Sequence, residues 1–311
     1  MKLVQIKCDH LRKAKKVIAS DEYLFVLTGQ SVVILKKDLE YVKTITGFRY
    51  TYNGHVSPDG KQLLLISNEP VFYIISIETL EMTARCRLKG NVEGIEGQGC
   101  WSLDGKSVLL IVMNKKNYNY FLRSYPIDNL KEFSDYSPVN NFRFVSILSV
   151  PHKESIYILG NKLMCDYTDL VLLQLKNNEI SENKIEGTRR LTPMTMEYNQ
   201  RADRFVVYTI ENAFTCDLLG KNVRMIDTGI PKSEVTMFSM PLIIKHILES
   251  KDRKYLFMAS TGGLDIFDKS TGELLYSKDI SFGAENVFEL KENMIIVGMY
   301  GGSSRLYEIK T

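Results

Sequence analysis

Residues able to do covalent chemistry are sparse in this chain; residues suited to recognition are not. Four histidines, His10, His55, His152 and His246, lie far apart, and no HxH or HExxH spacing brings two of them onto one metal ion. Five cysteines, Cys8, Cys86, Cys100, Cys165 and Cys216, are odd in number and form no CxxC. That argues against a disulfide framework and a zinc knuckle, and for a reducing compartment. No GxSxG nucleophile elbow and no Walker loop occurs. "GNVEGIEGQG" (Gly90 to Gly99) is glycine-rich, but its spacing does not match GxGxxG before a helix, and it reads as a flexible connection. The expectation is therefore no catalytic residue, no metal and no cofactor.

What recurs instead is a cation beside an aromatic ring. "GFRYTYNG" (Gly47 to Gly54) interleaves Arg49 with Phe48, Tyr50 and Tyr52, and "GQGCW" ends on Trp101. "NKKNYNY" carries Lys115, Lys116 and Tyr118, "NNFRF" carries Phe142 and Arg143, and "GTRRL" carries Arg189 and Arg190. "GIPKSEVTMFSMP" (Gly229 to Pro241) reads as a long loop with an apolar tip. A guanidinium pairs in plane with carboxylates and phosphates, and Tyr, Trp and Arg dominate interface energetics. The candidate binding residues are Arg49, Tyr50, Tyr52, Trp101, Arg143, Arg189 and Arg190. Their chemistry suits a protein or peptide partner, or a small anionic ligand.

Those residues sit at the ends of a recurring element. In "VSPDGKQLLLIS" (Val56 to Ser67), Pro58 presets φ, Asp59 favours the turn and Gly60 accepts positive φ. The apolar run Leu63 to Ile66 then has strand length and no alternation, so it expects cover on both faces. The unit returns about 45 residues later as Ser102-Leu103-Asp104-Gly105-Lys106-Ser107, followed by Val108 to Ile111. Weaker copies are "ASDEYLFVLTG" (Ala19), "VPHKESIYILG" (Val150), "QRADRFVVYTI" (Gln200), "SKDRKYLFMAS" (Ser250) and "KENMIIVGMYG" (Lys291). A period of roughly 40 to 50 residues signals a repeat architecture. "ASTGGLDIFDKSTGELLYSKDI" (Ala259 to Ile280) shows the rest of a unit, two further strands joined by glycine turns. In "MFSMPLIIKHILES" (Met237 to Ser250), Pro241 argues against one continuous helix, so a loop and an inner strand are expected.

Seven four-stranded units predict a β-propeller. The last unit runs out at "RLYEIKT" with three strands, while "KLVQIKC" (Lys2 to Cys8) stands unassigned at the other terminus. That N-terminal strand is expected to close the last blade, with Val4, Ile6 and Cys8 on one face. His55 and His246 fall on inner strands, and His152 in a turn at the opposite end from the binding loops.

"VSPDGKQLLLIS", "WSLDGKSVLLIV" and "LDIFDKSTGELL" resemble the repeats of WD40-like and YVTN-type seven-bladed propellers. The resemblance covers nearly the whole chain and is specific in the second, third and sixth units. Trp101 is the only tryptophan, so the Trp-Asp pair of true WD40 repeats is absent. The resemblance implies the propeller fold, which does not itself give a function; the candidate binding residues are what point to a binding or scaffold role. Within the YVTN-like group the resemblance also implies an alternative, a sugar lactonase or related hydrolase. That alternative needs a carboxylate, a histidine and an arginine to converge, for which Glu96, His55 and Arg49 are candidates.

Bulk properties narrow the classes. The chain has 311 residues, 44% apolar, 25% charged, with a net charge of +3. A nucleic-acid partner would ask for a strong basic excess, which is absent. The run Arg12-Lys13-Ala14-Lys15-Lys16 reads as a solvated turn. No apolar h-region opens the chain, and no window approaches about 18 uninterrupted apolar residues, so neither a signal peptide nor a membrane span is expected. The sequence is thus expected to be all-β, a single domain over 1–311, cytoplasmic, and a non-enzymatic scaffold.

Overall fold

A computed structural model describes residues 1–137, 142–162, 168–177, 179–210, 212–226, 243–280, 283–299 and 302–310. The loop expected over 229–241 and the thiol of Cys165 lie outside these residues, as do the side chains of Tyr52 and Glu96. Among the described residues there is no α-helix, only three short 3-10 turns, and no helix long and apolar enough to cross a membrane.

The strands form seven four-stranded antiparallel sheets, each paired in chain order except one. After β1 (Lys2–Ile6) come β2 (Lys16–Ala19), β3 (Tyr23–Leu27), β4 (Ser31–Lys36) and β5 (Tyr41–Thr46). The second sheet is β6 (Thr51–Val56), β7 (Gln62–Ser67), β8 (Val71–Ser76) and β9 (Glu81–Arg87). The third is β10 (Val92–Trp101), β11 (Ser107–Asn114), β12 (Tyr120–Pro126) and β13 (Ser134–Tyr136). The fourth is β14 (Phe142–Val150), β15 (Ser155–Lys162), β16 (Leu170–Lys176) and β17 (Glu179–Ile185). The fifth is β18 (Pro193–Asn199), β19 (Arg204–Thr209), β20 (Ala213–Cys216) and β21 (Arg224–Met225). The sixth is β22 (Ile244–Glu249), β23 (Tyr255–Ser260), β24 (Gly263–Asp268) and β25 (Leu274–Asp279). The seventh holds β26 (Ala284–Lys291), β27 (Met294–Met299) and β28 (Ser303–Lys310), and β1 pairs with β28 to complete it.

Two compact units contain these sheets. One comprises Met1–Thr46 with the described part of Asp227–Thr311; the other spans Gly47–Ile226. The first holds the first, sixth and seventh sheets, and the second holds the other four.

Second strands are buried on both faces, as the unbroken apolar runs require. Leu63, Leu64, Leu65 and Ile66 are all at most 5% exposed. Outer strands alternate instead: β9 puts Glu81, Thr83 and Arg85 in solvent. The turn that opened the repeat is built three times with the same bonds. Asp59 accepts from the Ser57 hydroxyl at 2.5 Å and from the Lys61 N–H at 3.1 Å. Asp104 does the same with Ser102 and Lys106, and Asp252 with Ser250 and Lys254. In each, the serine hydroxyl also accepts a backbone N–H five residues on.

The N-terminal strand completes the last blade, and it packs on both of its faces. It ends at Ile6, and its deepest residue is Leu3, 7% exposed, packed with Val297, Tyr307 and Ile309. Ile6 and Cys8 rest on the other side, against the cluster of Leu11, Ile296 and Leu306. A closing strand is covered on both sides, so a one-face reading misses half of its contacts. "GNVEGIEGQG" is likewise not a flexible connection but most of β10, with a bulge between Gly94 and Gly99. A Cβ on Gly99 would lie 2.5 Å from Leu110 Cδ2 and 2.9 Å from the Leu109 carbonyl, so glycine admits the partner strand. The basic run is only partly a solvated turn: Arg12 and Lys13 are exposed, Ala14 is fully buried and Lys16 begins β2. For "MFSMPLIIKHILES", the expected inner strand is β22; residues 237–242 lie outside the described chain.

Candidate binding face

In a sheet paired in chain order, one end collects the start of the inner strand, the turn between second and third strands, and the end of the outer strand. In the second unit that end carries most of the expected binding residues. Arg49 and Tyr50 precede β6, Glu69 lies between β7 and β8, and Glu93 is the second residue of β10. Lys115, Lys116 and Tyr118 join β11 to β12, Arg143 is the second residue of β14, and Arg189 and Arg190 precede β18.

Burial of one aromatic pushes its neighbours outward. Phe48 is 4% exposed and packs edge-on against Tyr73, with centroids 5.0 Å apart. The Tyr73 hydroxyl accepts the Arg49 N–H at 3.1 Å, and the Ser67 hydroxyl donates to the Arg49 carbonyl. With the backbone held, the Arg49 side chain stands in solvent, 3.6 Å from Glu69, and Tyr50 is 56% exposed. Tyr118 is 65% exposed, and beside it Lys115 lies 3.7 Å from Glu93. Tyr50, Tyr118 and Arg190 all hold positive φ, at 46°, 56° and 69°. A bulky residue in that left-handed region costs roughly 1–2 kcal/mol.

Arg143 projects into solvent between Phe142 and Phe144, which are 1% and 0% exposed. Gly160 permits this: a Cβ there would lie 2.2 Å from the Arg143 carbonyl and 2.3 Å from the Phe142 ring. Among the described residues the Arg143 guanidinium has no hydrogen bond or ion pair.

Beside Arg189 the sequence reading missed a carboxylate. Asp169 is 4% exposed, accepts the Thr188 N–H at 2.9 Å, and lies 3.0 Å from Lys184 Nζ and 3.6 Å from Arg189 Nε. Burial pushes its carboxyl up, but Lys184, the Thr188 N–H and Arg189 outweigh that and hold it below the usual carboxylate range. The Thr188 hydroxyl, fully buried, donates to the Ile185 carbonyl at 2.5 Å and accepts the Leu170 N–H at 2.8 Å. Nothing local in the sequence marks this node, because Asp169 and Thr188 are 19 residues apart.

Trp101 does not join the face. It ends β10, at the turn toward β11 and away from the strand's start, and is 2% exposed. Its ring packs among Leu64, Val108 and Tyr125, and its indole N–H donates to the His55 carbonyl at 2.8 Å. A tryptophan at a strand end suggests a mouth residue; the adjoining sheet covers it instead. The backbone of Tyr52 lies in β6.

Three of the histidines make polar or ring contacts with neighbouring side chains or backbone. His246 Nδ1 accepts the Val287 N–H at 3.2 Å, and His10 stacks on Tyr41 at 5.0 Å. His152 Nε2 lies 2.9 Å from the Tyr198 hydroxyl, which donates to Asp203 at 2.5 Å. Among the described residues no three His, Cys, Asp or Glu side chains are grouped to hold a metal ion. Within that set Arg49 faces Glu69 rather than a histidine.

Seven four-stranded antiparallel sheets, the first strand completing the last, are the blades of a seven-bladed β-propeller. The chain is similar to the β-propeller domain of Cps50 (Swd1) from Myceliophteria thermophila, with a TM-score of 0.68 and 12% identity, covering 99% of this chain and 100% of that one. At that identity the likeness carries the fold alone. No family model matches the chain, and no curated protein matches it.

Proposed function

We propose that this propeller is a binding module, one domain over 1–311, whose loop end in the second unit captures an acidic segment of a protein partner. The observation that supports this most is the pair of exposed tyrosines, Tyr50 and Tyr118, held at positive φ at the same end as the unpaired Arg143. A large side chain presented to water from a left-handed turn position suits a contact surface. Arg49, Arg189 and Arg190 would supply further charge, and Tyr52 is proposed with them. Glu69, Glu93 and Asp169 offset part of it, which favours a peptide whose carboxylates are spaced over a highly charged polyanion. A protein or peptide partner fits this surface better than nucleic acid does. A small anionic ligand would use the same cations.

Fluorescent Asp/Glu-rich peptides and their Lys-substituted analogues, titrated into the protein, test the proposal. Wild type should bind the acidic set selectively. Arg143→Glu and the double variant Arg189→Glu/Arg190→Glu should weaken that binding about tenfold or more, with the melting temperature unchanged. Equal binding of both peptide sets, or unaltered binding by both variants, overturns it.

A further inference from the structure

The first unit holds a second basic feature that is independent of that face. A cleft of about 430 Å³ opens beside the closing strand, lined by Gln5, Lys7, Arg12, Ser303 and Arg305, with Cys8 at its wall. The closure of the blade creates it: β1 lies along β28, with Gln5 opposite Tyr307 and Ile6 opposite Leu306, so residues from both ends of the chain share one cleft. Arg12 and Arg305 are exposed, and among the described residues neither guanidinium makes a hydrogen bond or ion pair. The one carboxylate in the lining, Asp9, lies 3.7 Å from Lys7. Two arginines with no counter-charge of their own, in a concave site with a serine hydroxyl and an amide beside them, can offer planar paired donors to a compact oxyanion.

We propose that this cleft binds a phosphomonoester dianion, with Arg12 and Arg305 as the two anchoring residues. A phosphomonoester fits better than a single carboxylate because it has three terminal oxygens and close to two charges at neutral pH, enough to engage both guanidinium groups. Ser303 and Gln5 supply neutral donors. The same chemistry is carried by a free small phosphate ester and by a phosphorylated side chain.

Calorimetric titration with O-phosphoserine, with a phosphoserine-containing peptide and with the unphosphorylated peptide tests this. Binding of O-phosphoserine assigns a small ester; binding of the phosphopeptide alone assigns a phosphorylated partner; both support the site. Arg12→Gln and Arg305→Gln should each weaken binding about tenfold or more, whereas Lys13→Gln, an equal charge change outside the lining, should leave it alone. Both guanidinium groups are unpaired, so the variants should fold as wild type does. As a second measurement, the bound ester should slow alkylation of Cys8, followed on its own tryptic peptide; of the other described cysteines, Cys86, Cys100 and Cys216 are buried. The proposal is overturned if neither phosphorylated probe binds, if Lys13→Gln weakens binding as much as the arginine variants do, or if Cys8 alkylates at the same rate with ligand.

Discussion

The indole N–H of Trp101 reaches the carbonyl of His55 across 46 residues of chain, at 2.8 Å. This bond ties the inner strand of the third sheet to that of the second, and it makes the only tryptophan a joint between blades. Trp101→Phe would leave the carbonyl without that donor and a void around the smaller ring. Together these should cost about 2–3 kcal/mol, read by urea denaturation, with acidic-peptide affinity unchanged.

Leu3 is the anchor of the closing strand, so Leu3→Ala should cost about 2 kcal/mol or more. Deleting residues 2–8 should do far more, because it strips β28 of its partner and exposes an edge. An unchanged melting temperature for the deletion would mean that blade completion contributes nothing to stability.

Arg253 occupies the turn position that glycine fills in the two sister turns. Its φ is 64°, beside 73° at Gly60 and 69° at Gly105. Arg253→Gly removes left-handed strain but adds backbone entropy to the unfolded chain. A net gain of about 0.5–1 kcal/mol is expected by denaturant titration; a loss would show that the arginine side chain compensates for its backbone.

The turn aspartates make stability fall in acid. Asp59, Asp104 and Asp252 are held below the usual carboxylate range, first by the Ser57, Ser102 and Ser250 hydroxyls. A carboxyl depressed in the folded state contributes stability that is present above its unfolded pKa of about 3.9. That contribution fades as pH drops through the folded value. The urea midpoint should therefore decline as pH falls below about 4. In Asp59→Asn/Asp104→Asn it should be lower at neutral pH and decline less. Parallel pH profiles for the two proteins would remove these turns as the cause.

The blade repeat was legible because its parts are local. A Ser-x-Asp-Gly turn closes bonds within five residues, and a strand covered on both faces must be apolar without alternation. Those facts determine seven sheets and suggest that the spare strand at one terminus belongs with the three at the other. The sequence also placed Arg49, Tyr50, Arg143, Arg189 and Arg190 at loop ends. What only the tertiary structure decided depends on partners distant in the chain. Trp101 is a core residue because another sheet lies over it, and Leu3, not Val4, is the deepest residue of β1 because of how β28 meets it. Asp169 tempers Arg189 only because β16 and β17 bring Thr188 and Lys184 beside it. Arg12 and Arg305 share a cleft only because the two ends of the chain pair. Short-range hydrogen bonding and apolar periodicity are properties of a segment, whereas burial, counter-charge and clefts are made by whichever segments arrive next to each other.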